Sequence, residues 1–135
     1  MNSERKIVCI VDDDKIYQFT SKKIISNVDI PLDIIIFSDG EEALNYLKAN
    51  LHSFQLLPDY IFLDINMPFK DGWQFLDEYH LLKNKLAKPN KIFIVSSSID
   101  EEDLERAAEN HLLSGYIAKP LTKEKFLKAT HLDQS

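Results

Sequence analysis

Several groups capable of chemistry in this chain stand directly after short apolar runs. Asp12-Asp13-Asp14 follows Ile7-Val8-Cys9-Ile10-Val11, and Asp64 follows Tyr60-Ile61-Phe62-Leu63. Ser96-Ser97-Ser98 follows Lys91-Ile92-Phe93-Ile94-Val95, and Lys119-Pro120 follows Gly115-Tyr116-Ile117-Ala118. Carboxylates held together repel and raise one another's pKa unless a cation intervenes. A hard cation with oxygen ligands resolves that conflict, and Mg²⁺ suits best because it takes few protein ligands and keeps several waters. Asp12, Asp13 and Asp64 are therefore candidate metal ligands, whereas Asp14 reads as the cap of the helix that follows. Lys119 leaves its strand where Pro120 constrains the backbone, so its ammonium can pair with Asp64 or with a phosphate on it. The Lys119–Pro120 bond is also of the kind that can take the cis form. Of the three serines, Ser96 directly ends the apolar run and is assigned the functional hydroxyl. Ser97 is the fallback, and Ser98 begins a capping box, Ser98-x-x-Glu101.

These groups share a site only if the runs are neighbouring strands. Each run is short, β-branched and uninterrupted, the pattern of a parallel strand covered on both faces. A fifth, Asp33-Ile34-Ile35-Ile36-Phe37, ends on Ser38-Asp39-Gly40. Between the runs lie helix-period stripes: Tyr17, Ser21, Ile24 and Val28; Ala43, Leu44, Leu47 and Leu51; Phe75, Leu76, Tyr79 and Leu82; Leu104, Ala107, Ala108 and Leu112. The stretch from Leu121 to Thr130 makes a fifth. Strand and helix alternating five times predict a flavodoxin-like doubly wound α/β fold, (βα)5, with a five-stranded parallel sheet of order 2-1-3-4-5. In such sheets sites form outside the carboxyl ends of the strands. The order makes strands 1, 3, 4 and 5 neighbours, which would collect the carboxylates, hydroxyls and ammonium on one rim.

The chain has 135 residues, 44% hydrophobic and 28% charged, which suits one soluble domain. No linker or repeat divides it, so residues 1–135 read as a single domain with its core at about 6–132. The net charge of −6 and the scattered lysines argue against direct nucleic-acid binding. No apolar run has membrane-spanning length and no secretory signal is present, so the expected location is the cytoplasm. Cys9, the one cysteine, lies inside an apolar run and reads as a small buried hydrophobe. The four histidines (His52, His80, His111 and His131) have no ligand spacing and read as surface or boundary residues. No Gly-rich phosphate loop or nucleophilic serine elbow occurs, which counts against nucleotide-binding and hydrolase readings.

Together, Val11-Asp12-Asp13-Asp14, Phe62-Leu63-Asp64-Ile65-Asn66-Met67-Pro68-x-x-Asp71-Gly72, Ser96 and Lys119-Pro120 closely resemble bacterial response-regulator receiver domains. Phe37-Ser38-Asp39-Gly40-Glu41-Glu42-Ala43-Leu44 matches the family's second strand–helix junction, and the likeness runs from about Lys6 to Leu132. The resemblance implies that Asp64 is the phosphoacceptor. It implies that Asp13 and Asp64 bind Mg²⁺ directly with the Asn66 carbonyl, while Asp12 acts through metal-bound water. Ser96 would reach the transferred phosphoryl group, Lys119 would contact one of its oxygens, and Tyr116 would be the switch aromatic. The donor would be a sensor histidine kinase or a histidine phosphotransfer protein. No output domain is expected after the fifth helix, so output would pass to a downstream protein target or by onward relay. Asn66 and Ser98 stand where the family tunes hydrolysis. Two features depart from the usual pattern: Ser96 where Thr is common, and a long basic stretch from Lys83 to Asn90, read as a solvated loop or partner surface. A competing reading is a Mg²⁺-dependent aspartyl-phosphate phosphohydrolase like the haloacid-dehalogenase enzymes. Those place the nucleophile after the first strand, usually with an Asp two residues on and a cap domain, whereas here Asp64 follows the third strand and Asn66 holds that position. A degenerate receiver working without phosphate is the other alternative, and the complete residue set argues against it.

Overall fold

A computed structural model describes residues 5–67, 70–97 and 100–133. Strand β1 (Lys6–Val11) leads into α1 (Lys15–Ser26), and β2 (Leu32–Phe37) into α2 (Gly40–Ala49). Strand β3 (Tyr60–Asp64) precedes α3 (Gly72–Leu82), β4 (Lys91–Ser96) precedes α4 (Glu101–Glu109), and β5 (Leu113–Ala118) precedes α5 (Lys123–Thr130). All strand pairs are parallel, in the order β2-β1-β3-β4-β5 predicted from the alternation of runs and stripes.

Strand side chains alternate between faces, so one sheet builds two cores. Cys9, Val11, Ile61, Leu63, Ile92 and Ile94 face α2, α3 and α4, where Leu44, Leu47, Phe75 and Leu76 meet them. Val8, Ile10, Phe62, Phe93 and Val95 face the other side, against Ile25 of α1 and Phe126 of α5. Phe75 and Phe126 are wholly buried, each contributing about 2–3 kcal/mol of apolar burial. Burial also pushes the Cys9 thiol well above its ordinary pKa, consistent with an inert packed side chain. Among the described residues no helix is long and apolar enough to cross a membrane.

Several helical details correct the sequence expectation. The packed face of α1 is Gln18, Ser21 and Ile25, while Tyr17 and Ile24 are only half-buried and Val28 lies beyond the helix end. A stripe read at 3.6-residue spacing is uncertain by one position, and here the tertiary contact chose the neighbour. In α4 only Ala107 of the expected stripe is buried; Leu104 and Ala108 are exposed, and Leu112 follows the helix. Leu51 likewise lies past the end of α2, and Leu121 lies ahead of α5, which Thr122 caps. Ser98 lies outside the described residues. The cap of α4 is Asp100, which accepts from the Glu102 amide, so Glu101 is the first residue of the helix.

Candidate functional site

The carboxyl ends of β1 and β3 lie side by side, with Val11 level with Leu63, and this brings Asp12 and Asp13 to Asp64. Carboxylate oxygens of the three lie within 4.8 Å of one another; Asp12 and Asp64 are buried and Asp13 is exposed. Two local devices hold the loop after β1. Asp14 caps α1 as expected, its Oδ1 accepting from the amides of Ile16 and Tyr17. Gln18, buried one turn later, donates its side-chain amide to the Asp12 carbonyl and to Ser38 Oγ, which Lys15 also reaches at 2.8 Å.

Asp64 is fixed from the following helix. Asp71 and Gln74 form a reciprocal capping box at the start of α3, and the Gly72 amide donates to the Ile65 carbonyl at 2.9 Å. A Cβ on Gly72 would lie 2.9 Å from the Asp64 carbonyl oxygen and 3.0 Å from Ile65 Cα, so this close approach needs glycine.

Lys119 supplies the opposite charge. Its amide donates to the Ser96 carbonyl at 2.8 Å, which ties the end of β5 to the end of β4, and the Lys119–Pro120 bond is cis. The ammonium lies 2.9 Å from Asp12 Oδ2 and 3.7 Å from Asp64 Oδ2. It also stands 4.1 Å from the centre of the Tyr17 ring. Burial disfavours its charged form, but the hydrogen bond it donates to Asp12 and the charges of Asp12 and Asp64 outweigh this and raise its pKa.

One lysine does not neutralise three acids. Burial first, then the charge of Asp12, pushes the Asp64 carboxyl up to about 6, against the pull of Lys119 and the Asn66 amide. Near neutral pH the isolated carboxylate is thus held at a cost that another cation would relieve. Both oxygens of Asp12 are engaged, Oδ1 by the Asp14 amide and Oδ2 by Lys119. Asp64 is held more loosely, Oδ1 by the Asn66 amide at 3.2 Å and Oδ2 3.7 Å from Lys119, so it and the exposed Asp13 keep oxygen lone pairs for an ion, and these hard donors fit Mg²⁺.

Of the other expected residues, Ser96 is fully buried at the end of β4 and Ser97 is exposed. Tyr116 lies half-buried on β5, level with Ile94 and against the α2–α4 core. Asn66 is exposed, and its amide donates to Asp64 Oδ1. His80 and His111 are both exposed, with ring centres 6.3 Å apart, a proximity their spacing did not reveal. Among the described residues, Asp12, Asp13 and Asp64 are the one group of three metal-capable side chains.

The model of the response regulator receiver domain family matches residues 8–131. The chain is a receiver domain of that family. The receiver is 33% identical over 124 residues to Protein PilG of Pseudomonas aeruginosa, covering 90% of this chain and 82% of that one. It is 30% identical over 130 residues to the nitrate/nitrite response regulator NarL of Escherichia coli, spanning 96% of this chain but 55% of NarL. A two-component response regulator from Cytophaga hutchinsonii superposes with a TM-score of 0.82 at 28% identity, covering 96% of both chains. The phosphorylated cyanobacterial phytochrome response regulator RcpA superposes at 0.73 with 27% identity, covering 97% of this chain and 93% of that one.

Two site residues escaped the sequence reading. Tyr17 was placed on the packed face of α1, yet its ring is a platform for Lys119. Gln18, which tethers the acidic loop, carried only the weak signal of a polar residue one turn after the acids.

Proposed function

We propose that Asp64 accepts a phosphoryl group and that the receiver works as a phosphorylation-controlled switch. The observation that carries this is the confluence of Asp64 with Asp12, Asp13 and Lys119 at one strand rim, charged and buried as a phosphoacceptor requires. A carboxylate oxygen of Asp64 attacks phosphorus; the new O–P bond forms as the donor's bond to phosphorus breaks. With a phosphohistidine donor the imidazole leaves and takes up a proton. Lys119 meets the negative charge on the phosphoryl oxygens, and Ser96 donates to one of them after transfer. Mg²⁺, held by Asp13, Asp64 and the Asn66 carbonyl with Asp12 acting through water, would supply charge neutralisation for the attacking carboxylate and the transferred group. In this reading the protein is not an enzyme with a separate substrate, and its only turnover is formation and hydrolysis of its own acyl phosphate.

The donor is a sensor histidine kinase or a histidine phosphotransfer protein, so the receiver works in the cytoplasm. A protein donor is supported by Ile16 and Phe19, 76% and 67% exposed, three residues apart on α1 just after the acidic loop. The known phosphorylated form of RcpA supports phosphate as the signal. Phosphorylation would bias a two-state equilibrium through Ser96 and Tyr116, altering the α4–β5–α5 face for a downstream protein or passing the phosphoryl group onward.

Incubation with acetyl phosphate and Mg²⁺, read by intact mass, tests the assignment. Wild type is expected to gain one phosphoryl mass, and Asp64→Ala none. No gain in wild type, or an equal gain in the variant, would remove Asp64 from this role.

A further inference from the structure

At the amino ends of the strands, across the sheet from Asp64, lies a cavity of about 320 Å³. Strand alternation builds it. Val8 and Phe93 belong to the core on the α1–α5 side, so Lys6 and Lys91, each two residues earlier, lie on that side and flank Tyr60. Phe54 and Asn90 close it from the loops.

Its charge balance is uneven. Three lysines line it, Lys6, Lys88 and Lys91, against one carboxylate, Asp59. That carboxylate is already engaged: Asp59 Oδ2 accepts from the Ile7 amide at 2.8 Å and lies 3.5 Å from Lys88 Nζ. Among the described residues no carboxylate pairs with Lys6 or Lys91. A second observation is independent of charge. The Tyr79 hydroxyl donates to Asn90 Oδ1, while Asn90 Nδ2 is sealed from solvent with no acceptor among the described residues. Buried donors are normally satisfied, and the residue that carries this one lines the cavity. Phe54, 58% exposed, adds an apolar wall that Lys88 holds from 4.6 Å away.

We propose that this cavity binds a small organic anion, a carboxylate or phosphate-type group joined to a flat apolar body. Lys6 and Lys91 meet the charge, the Asn90 side chain turns to bring its unsatisfied Nδ2 to one of the anion's oxygens, and the apolar body lies against Phe54. The site is separate from the phosphoacceptor and does not depend on its chemistry.

The test is an amide NMR titration of the whole chain with benzoate, with phenylphosphonate, whose P–C bond bars transfer to Asp64, and with neutral benzyl alcohol. Saturable shifts of the Asn90 side-chain amide and the Lys91 amide are expected with an anion only, and the tighter of the two anions identifies the charged group. Lys6→Glu and Lys91→Glu should each weaken binding about tenfold, as loss of an ionic contact predicts. Lys6→Gln and Lys91→Gln provide gentler versions should a reversal disturb folding. Lys83→Glu and Lys85→Glu, exposed positions outside the cavity, should change affinity by less than about twofold. Asp64→Ala should leave binding unchanged. Equal shifts with benzyl alcohol, equal weakening in the Lys83 and Lys85 variants, intact binding in all Lys6 and Lys91 variants, or loss of binding in Asp64→Ala would each overturn the proposal.

Discussion

At the carboxyl ends of the strands Lys119 stands among three acids, whereas at the amino ends Lys88 has one acid and a fixed set of partners. Lys88 is buried, donates to the Leu57 carbonyl at 2.8 Å and lies 3.5 Å from Asp59, whose carboxylate also takes the Ile7 amide. With the Ala87 amide on the Leu51 carbonyl, it fastens the loop before β4 to the loop before β3. Every charge in that pair has a compensating partner, so it holds structure. At the other rim the acids outnumber the cation and Asp64 is left strained. Reactivity is stored where compensation is incomplete, and the same two residue types give a staple at one end and a reactive site at the other.

Exchanging the two lysines for Met should separate these roles. Lys88→Met is expected to cost about 3 kcal/mol in urea unfolding, because it strips a half-buried acid and the Leu57 carbonyl of their partner. Its rate of phosphoryl uptake from acetyl phosphate should stay at the wild-type value. Lys119→Met should instead slow uptake roughly 100-fold, the usual cost of losing one charge-stabilising donor. A slow Lys88 variant or a fast Lys119 variant would erase the contrast.

A comparable effect concerns Asp64 itself. Its folded pKa of about 6 lies above the ordinary 3.8, so the folded chain binds this proton more tightly than the unfolded chain does. The stability contributed by that proton is fully present below about 3.8 and is lost as pH rises through about 6. In EDTA, Asp64→Asn should therefore be more stable than wild type at pH 7 by up to about 3 kcal/mol, with the gap closing toward pH 4. Added Mg²⁺ should narrow the gap at pH 7. A wild type more stable than Asp64→Asn in EDTA at neutral pH would contradict the strained-acid account.

The smallest effect falls on Tyr17, a positioning residue. Tyr17→Leu removes the ring beneath Lys119, so Lys119 should titrate lower by NMR and uptake should slow about threefold, while Tyr17→Phe keeps both near wild type. Equal loss in the Phe variant would assign the effect to the hydroxyl instead.

Much of this could be read from the chain because parallel strands buried on both faces leave an unmistakable local pattern. Ile7–Val11, Tyr60–Leu63 and Lys91–Val95 are such runs, and the first polar residue after each marks the rim. Helix faces were less legible. A stripe on α1 fits Ile24 as well as Ile25 until the sheet selects one, and α4 buries only Ala107 because its neighbours cover so little of it. The basic stretch from Lys83 to Asn90 read as solvated, which suits Lys83 and Lys85, yet Lys88 turns inward because Asp59 and the Leu57 carbonyl await it. Nothing within that stretch encodes a partner about thirty residues away.

By itself, then, the sequence determined the alternation of elements, their order in the sheet, and the acids, hydroxyl and lysine that end the strands, since these depend on local hydrophobic period and on a small menu of topologies. Only the tertiary structure decided the distances among Asp12, Asp64 and Lys119, the platform under Lys119, the need for glycine at position 72 and the opposite fates of Lys88 and Lys119. Those are contacts between elements far apart in the chain, and their energies exist only once the sheet has brought the elements together.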